Sequence, residues 1–222
     1  MQQIFRPYAN TVARLSVALG GLGTALILYF VLALGVSPYT YGVGSAVGVA
    51  VDQPVRFSHE LHSGQLNVSC QYCHTSVDKA AYAGIPDTHT CMSCHSQIAT
   101  YSELLAPVRE SYATGESLVW YPVHNLADHV YFNHGIHVNK GVGCETCHGR
   151  VDQMPLVWQA ETMTMGWCLD CHRAPENYVR PLAEVYTFGY EEPDNQLEVG
   201  LELVEEYGIN SDRLDNCSIC HR

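Results

Sequence analysis

The chain has 222 residues, 23 acidic against 11 basic side chains, 12 histidines, 10 cysteines and a formal net charge of −12. With Lys79 and Lys140 as its only lysines, it has no basic face for nucleic acid or for anionic lipid. The length allows one or two domains, and so many cysteines in so short a chain point to chemistry at sulfur.

The first predicted element is a membrane span. Between Leu15 and Val51 there is no charged residue, and Leu15–Val36 (LSVALGGLGTALILYFVLALGV) is a nearly continuous apolar run. At about 1.5 Å per residue it reaches roughly 33 Å, enough for one crossing, whereas the apolar core of a secretory leader runs to about 7–15 residues. A retained anchor over residues 1–40 is expected, although SAVGVA at 45–50 has the small residues of a cleavage site. Arg6 and Arg14 precede the span, and no charge follows it until Asp52. The positive-inside rule then sets the N-terminus in the cytoplasm and residues 41–222 on the periplasmic side of a bacterial inner membrane. Gly20, Gly21 and Gly23 suit close approach of a neighbouring helix, or are simply the glycines common in membrane helices.

Five CxxCH motifs follow, at Cys70–His74, Cys91–His95, Cys144–His148, Cys168–His172 and Cys217–His221, and they consume every cysteine. This is the mark of covalent haem attachment: both thiols add to the porphyrin vinyl groups, and the adjacent histidine ligates the iron from the proximal side. Zinc ribbons, redox dithiols and disulfides are competing readings of CxxC, and none requires a histidine after every second cysteine. Cys70, Cys73, Cys91, Cys94, Cys144, Cys147, Cys168, Cys171, Cys217 and Cys220 are read as attachment points for five haem c groups. His74, His95, His148, His172 and His221 are read as proximal iron ligands.

The motifs sit in an internal duplication. Phe57-Ser-His59-Glu-Leu-His62 precedes the first two motifs as Phe132-Asn-His134-Gly-Ile-His137 precedes the third and fourth, which predicts dihaem modules at 57–97 and 132–173. Histidines three apart fall on one face of a helical turn, so one short segment can offer imidazoles to two neighbouring irons. Gly84, Pro86 and Asp87 break the first module, and Pro107, Gly115 and Pro122 lie in the connector at 98–131. Amphipathic patterning is scarce. The expected fold is a single N-terminal transmembrane helix plus a haem-packed multihaem cytochrome c domain, mostly short helices and loops with little sheet, in which the porphyrins supply much of the apolar core.

After the second module, residues 191–222 are predicted to form an acidic helix and the fifth haem site. Glu192-Pro193-Asp194 looks like a helix start, and Leu197, Leu201, Val204 and Gly208 fit one face ending at glycine. Glu191, Glu192, Asp194, Glu198, Glu202, Glu205 and Glu206 make the segment strongly acidic, either a solvated face or a docking surface.

Seven histidines lie outside the motifs: His59, His62, His89, His124, His129, His134 and His137. The four in the FxHxxH elements are the leading distal iron ligands. His124, after the apolar lead-in Trp120-Tyr-Pro-Val, is the choice for the fifth, and His89 and His129 are read as polar contacts. Met154 and Met165 are distal alternatives, since thioether ligation would raise one haem potential, although a methionine in so apolar a stretch is more often packing. A surplus of distal ligands and the lack of a CxxCK variant favour electron relay over chemistry at an open iron.

VRFSHELH with CQYCH and GIPDTHTCMSCHSQI, then VYFNHGIHVNKGVGCETCHGRVDQMP and MTMGWCLDCHR, resemble the ActA family, the membrane-anchored pentahaem cytochromes of bacterial alternative complex III. The resemblance covers essentially the whole chain. It implies a respiratory-chain relay without catalytic residues of its own. In that family NrfD-like integral membrane subunits oxidise menaquinol and an iron–sulfur subunit sits on the outer side. Electrons then pass to a monohaem cytochrome c subunit and on to a soluble copper protein or cytochrome. The acidic segment 191–206 lies outside the motifs that carry the resemblance.

Two other readings stay open. An NrfH-type quinol dehydrogenase would form a quinol site from its own anchor, but Leu15–Val51 offers no charged residue to take the proton. A multihaem reductase would keep one iron open to substrate.

Overall fold

The computed structural model describes residues 8–33 and 47–221. Arg6 and the last three residues of the expected span lie outside the described residues. The chain divides into two compact units, Met1–Ser45 and Ala46–Arg222. In the first, helix α1 (Ala9–Val31) is long and apolar enough to cross a membrane, and none of its residues is buried. The Thr24 hydroxyl donates back to the Gly20 carbonyl at 2.9 Å, so it is satisfied within the helix, as an apolar surrounding demands.

The second unit is built from short helices and loops. Its elements are a π-helix (Glu60–Gln65), α2 (Cys70–Cys73), α3 (Thr88–His95), α4 (Ala106–Thr114), α5 (His134–Asn139), α6 (Cys144–His148), α7 (Met165–Arg173), α8 (Gln196–Glu206) and α9 (Cys217–Cys220). Among the described residues, pairing of extended chain is confined to three isolated bridges, Ala50 with Trp158, Val130 with His221 and Val142 with Val179. Among the described residues the expected architecture, short helices and loops with little sheet and one long apolar helix, is what forms.

The duplication is visible bond by bond. His62 Nδ1 donates to the Ser58 carbonyl at 2.8 Å and His137 Nδ1 to the Asn133 carbonyl at 2.8 Å. Phe57 stacks on His62 at 4.4 Å as Phe132 stacks on His137 at 4.4 Å. Ser58 and Asn133 cap equivalent turns, accepting from the Leu61 and Ile136 amides, because a short oxygen-bearing side chain at that position satisfies a free N–H. One copy continues as a π-helix and the other as α5.

Each copy also docks on the other half of the duplication. The Gly135 amide donates to the Ala80 carbonyl at 3.0 Å, and the Glu60 amide to the Met154 carbonyl at 3.1 Å. Asn139 Nδ2 reaches the Asp78 carbonyl, while its counterpart Gly64 lies so close to the Asp152 carbonyl that a Cβ there would overlap it. The FxHxxH turn of each half therefore rests on the loop after the first CxxCH of the other half, a reciprocal exchange with two-fold character.

Helix α8 corrects the expected stripe. Leu197 and Leu201 are exposed, whereas Gly200 and Leu203 are buried. Gly200 lets the helix press onto the Glu176 carbonyl, which a Cβ would overlap, and the Gln196 amide donates to the Glu176 and Val179 carbonyls at 3.1 and 3.0 Å. Backbone approach, which a hydrophobicity pattern does not register, turned the helix. Its end falls as expected at glycine, with Gly208 at φ +61°, the left-handed position that costs a glycine least.

Among the described residues buried apolar side chains are few: Val55, Val77, Val108, Val138, Met154, Val179, Val185 and Leu203. Tyr82, Ile98, Tyr101, Leu104 and Tyr121 stand exposed. Such a small protein core is marginal for a unit of this length.

Candidate haem sites

All five CxxCH motifs lie on helical turns or at helix ends, which puts the two thiols, three residues apart, on one face with the histidine next to them. Side-chain caps start three of them: Asp87 accepts from the Thr90 amide, Thr164 from Trp167 and Asn216 from Ser218. The third motif is the most enclosed. Burial, reinforced by the neighbouring Cys70 thiol, pushes Cys144 up to about 12, and burial with Cys171 and Cys168 nearby pushes Cys147 up to about 12. Arg180, 6 % exposed, anchors this motif through a 2.8 Å ion pair with Glu145 and lies over the Tyr190 ring at 4.5 Å. Glu145 also accepts from the Gly189 and Tyr190 amides at 2.7 and 3.1 Å.

The motifs stand in single file, in the order second, first, third, fourth, fifth. Tyr72 of the first motif and Ser93 of the second share a 2.7 Å hydroxyl hydrogen bond. The reciprocal docking joins the halves carrying the first and third motifs, and the Cys70 thiol acts on Cys144. The third and fourth meet through Cys147, Cys168 and Cys171. His172 Nδ1 donates to the Leu214 carbonyl at 2.9 Å, tying the fourth motif to the run leading into the fifth, whose Cys220 acts on Cys168. The exposed cysteines, Cys94 and Cys217, belong to the motifs at the two ends.

The imidazoles share one pattern. Nδ1 of His62, His74, His95, His134, His137, His172 and His221 donates to a backbone carbonyl. This fixes the tautomer in which Nε2 keeps its lone pair for a metal. Burial, with neighbouring histidines adding to it, lowers His59 to about 4 and His148 to about 3, and burial lowers His124 and His137 as well. Those rings are neutral at neutral pH, the state that binds metal.

Two imidazoles bonded to one iron from opposite sides have ring centres about 6 Å apart, from metal–nitrogen bonds of about 2 Å plus a ring radius on each side. His62 and His95 lie at 6.1 Å, His137 and His172 at 6.1 Å, and His134 and His148 at 6.3 Å. His59, the counterpart of His134, has the His74 and His62 imidazoles as neighbours. His124 lies edge-on to His148 at 4.3 Å, and His129 stacks on His221 at 5.4 Å. His89 packs against Tyr112. Met154 is 2 % exposed and packs beside Gly149, while Met165 opens α7 at 62 % exposure. His129, read from the sequence as a polar contact, has Pro54 as its counterpart in the duplication, so the repeat gives no signal there.

These residues fit covalently held haem. Paired thiols lie beside imidazoles whose Nε2 is free, ring pairs leave room for an iron, and two ring nitrogens, His59 Nδ1 and His124 Nε2, are buried without a protein partner. Among the described residues no three His, Cys, Asp or Glu side chains converge as zinc would require.

Residues 130–222 match a family model described as cytochrome c7 and related cytochrome c. The chain is also similar to the "Menaquinone reductase, multiheme cytochrome c subunit" of Nitratidesulfovibrio vulgaris, with 30% identity over 149 residues, 58% of this chain and 70% of that protein.

Proposed function

Since this chain belongs to the multihaem cytochrome c family, we propose that it is the electron-relay subunit of a quinone-linked membrane complex, carrying five haem c groups. The observation that carries this reading is the single file of five CxxCH motifs with exposed cysteines only at its ends. Each haem, when bound, supplies a one-electron iron couple. The chain's residues do the rest. Ten thiols would hold the haems in order, the five motif histidines would ligate their irons, and His59, His62, His134 and His137 would offer the second imidazole at four of them. With histidine offered on both sides at four of the five motif irons, the chain is read as a relay rather than as a site of substrate chemistry.

The finer reading is a subunit of a menaquinol-oxidising alternative complex III. Its partners there are an NrfD-like integral subunit, an iron–sulfur subunit, a monohaem cytochrome c subunit and a soluble copper protein or cytochrome. The duplicated FxHxxH elements, the apolar helix α1 and the quinone-linked relative support it. Helix α1 serves as a single-pass anchor in the bacterial inner membrane, with the haem unit in the periplasm. The relative's name favours a second direction of flow, toward menaquinone rather than from menaquinol.

Purification in mild detergent from native membranes tests the reading. It predicts an integral NrfD-like subunit and an iron–sulfur protein in the same peak, five haems per chain, and reduction of all five by menaquinol. Recovery with a periplasmic reductase alone, or as a lone protein that menaquinol reduces, overturns the relay in favour of an autonomous quinol dehydrogenase. Haems that only a periplasmic donor reduces, and that menaquinone then reoxidises, establish the reverse direction.

A further inference from the structure

We propose that His129 is the distal iron ligand at the C-terminal motif, opposite His221, an assignment that rests on reading Cys217–His221 as a haem site. The two ring centres lie 5.4 Å apart with 23° between their planes, near the separation of about 6 Å for two imidazoles on opposite sides of one iron. An antiparallel bridge and one imidazole bond hold the turn bearing His129 to the motif. Val130 and His221 form an antiparallel bridge, the Tyr131 amide donates to the Cys220 carbonyl at 2.8 Å, and His221 Nδ1 donates to the His129 carbonyl at 3.1 Å. The last of these sets the His221 tautomer so that its Nε2 is free for iron. One peptide unit thus orients the proximal imidazole while its own side chain faces that imidazole.

His124 does not compete for this site. Its ring is 4.3 Å from His148 and edge-on to it, at the third motif. His62, His137 and His134 face His95, His172 and His148. Met154 is buried beside Gly149, and Met165 belongs to the helix of the fourth motif. The exposed His129 completes a strap from residue 127 to 131, since the Val130 amide returns to the Ala127 carbonyl at 2.8 Å.

The test uses the full chain matured with haem and compares ferric spin state by electron paramagnetic resonance and optical absorption. His129→Gly is expected to keep its full haem content by mass while one haem in five turns high-spin, and added imidazole is expected to return it to low spin. His124→Ala is expected to leave the C-terminal haem low-spin. In the Cys217→Ser/Cys220→Ser background the chain is one haem lighter, and His129→Gly adds no high-spin signal. A His129→Gly protein that stays low-spin overturns the assignment, as does a high-spin signal that survives loss of Cys217 and Cys220. Unchanged haem mass in the double cysteine variant instead overturns the reading of the fifth motif as a haem site.

Discussion

Arg180 is the residue on which the third motif most depends. Its guanidinium is enclosed, pairs with Glu145 inside CETCH, and lies against Gly143, where a Cβ would meet it. Removing one partner of a buried ion pair leaves the other charged and unsolvated, typically costing about 3–5 kcal/mol. Arg180→Ala is expected to lower the thermal midpoint of the haem-loaded protein sharply, while Arg173→Ala, removing a 3.9 Å pair with the exposed Asp215, is expected to change it little. Calorimetry on the two variants checks this. The pH dependence has a definite sign. Burial pulls the Glu145 carboxyl up, but hydrogen bonds from Arg180, Gly189 and Tyr190 outweigh it and hold the group below the usual carboxylate range. A depressed folded pKa means that the pair's stabilisation is fully present above about pH 4.5 and is lost as pH falls through the folded value. Wild type should therefore lose stability in acid more steeply than Arg180→Ala, measured by denaturant midpoints between neutral and acidic pH. Nothing in the sequence announced Arg180: it is a single arginine in a loop, 35 residues from its partner. The CxxCH cysteines, by contrast, were legible because their chemistry needs fixed local spacing.

At the scale of elements, the duplication was legible and its docking was not. Offsets of 74 and 75 residues reveal two copies, but they do not say whether each FxHxxH turn packs on its own half or on the other. Backbone hydrogen bonds such as Gly135 to Ala80 and Glu60 to Met154 involve no characteristic side chain. The glycines record the contact. Gly64→Ala drives a methyl into the Asp152 carbonyl, and such overpacking costs about 1–3 kcal/mol. Gly166→Ala, where a Cβ meets nothing, is expected instead to gain about 0.5–1 kcal/mol from helix propensity. Opposite shifts in the thermal midpoints of the two variants check the reciprocal docking. Equal small shifts would mean that the π-helix and the 149–154 loop are not pressed together in solution. Helix α8 makes the same point, since its buried stripe was set by the approach of Gly200 to Glu176 rather than by its leucines.

For the whole molecule, charge was legible from composition, while the spatial order of the motifs depended on the exchange between halves. The two properties meet at the C-terminal end of the file. Residues 181–212 hold nine of the 23 acidic side chains and no lysine or arginine. Leu197 and Leu201 are exposed on α8 between these carboxylates, and the segment leads directly into the fifth motif. Clustered charge of one sign raises the encounter rate of an oppositely charged partner, and salt screens it over a Debye length of about 8–10 Å. A basic small electron acceptor should therefore oxidise the reduced protein several-fold faster at low than at high ionic strength, whereas an acidic acceptor should speed up as salt is added. Replacing Glu198, Glu202, Glu205 and Glu206 with glutamine separates this field from the rest of the surface charge. Stopped-flow oxidation is expected to lose most of its salt dependence in that variant if partners approach at the C-terminal end. A variant that keeps the wild-type salt dependence would put the approach at the other end of the file, beside Cys94.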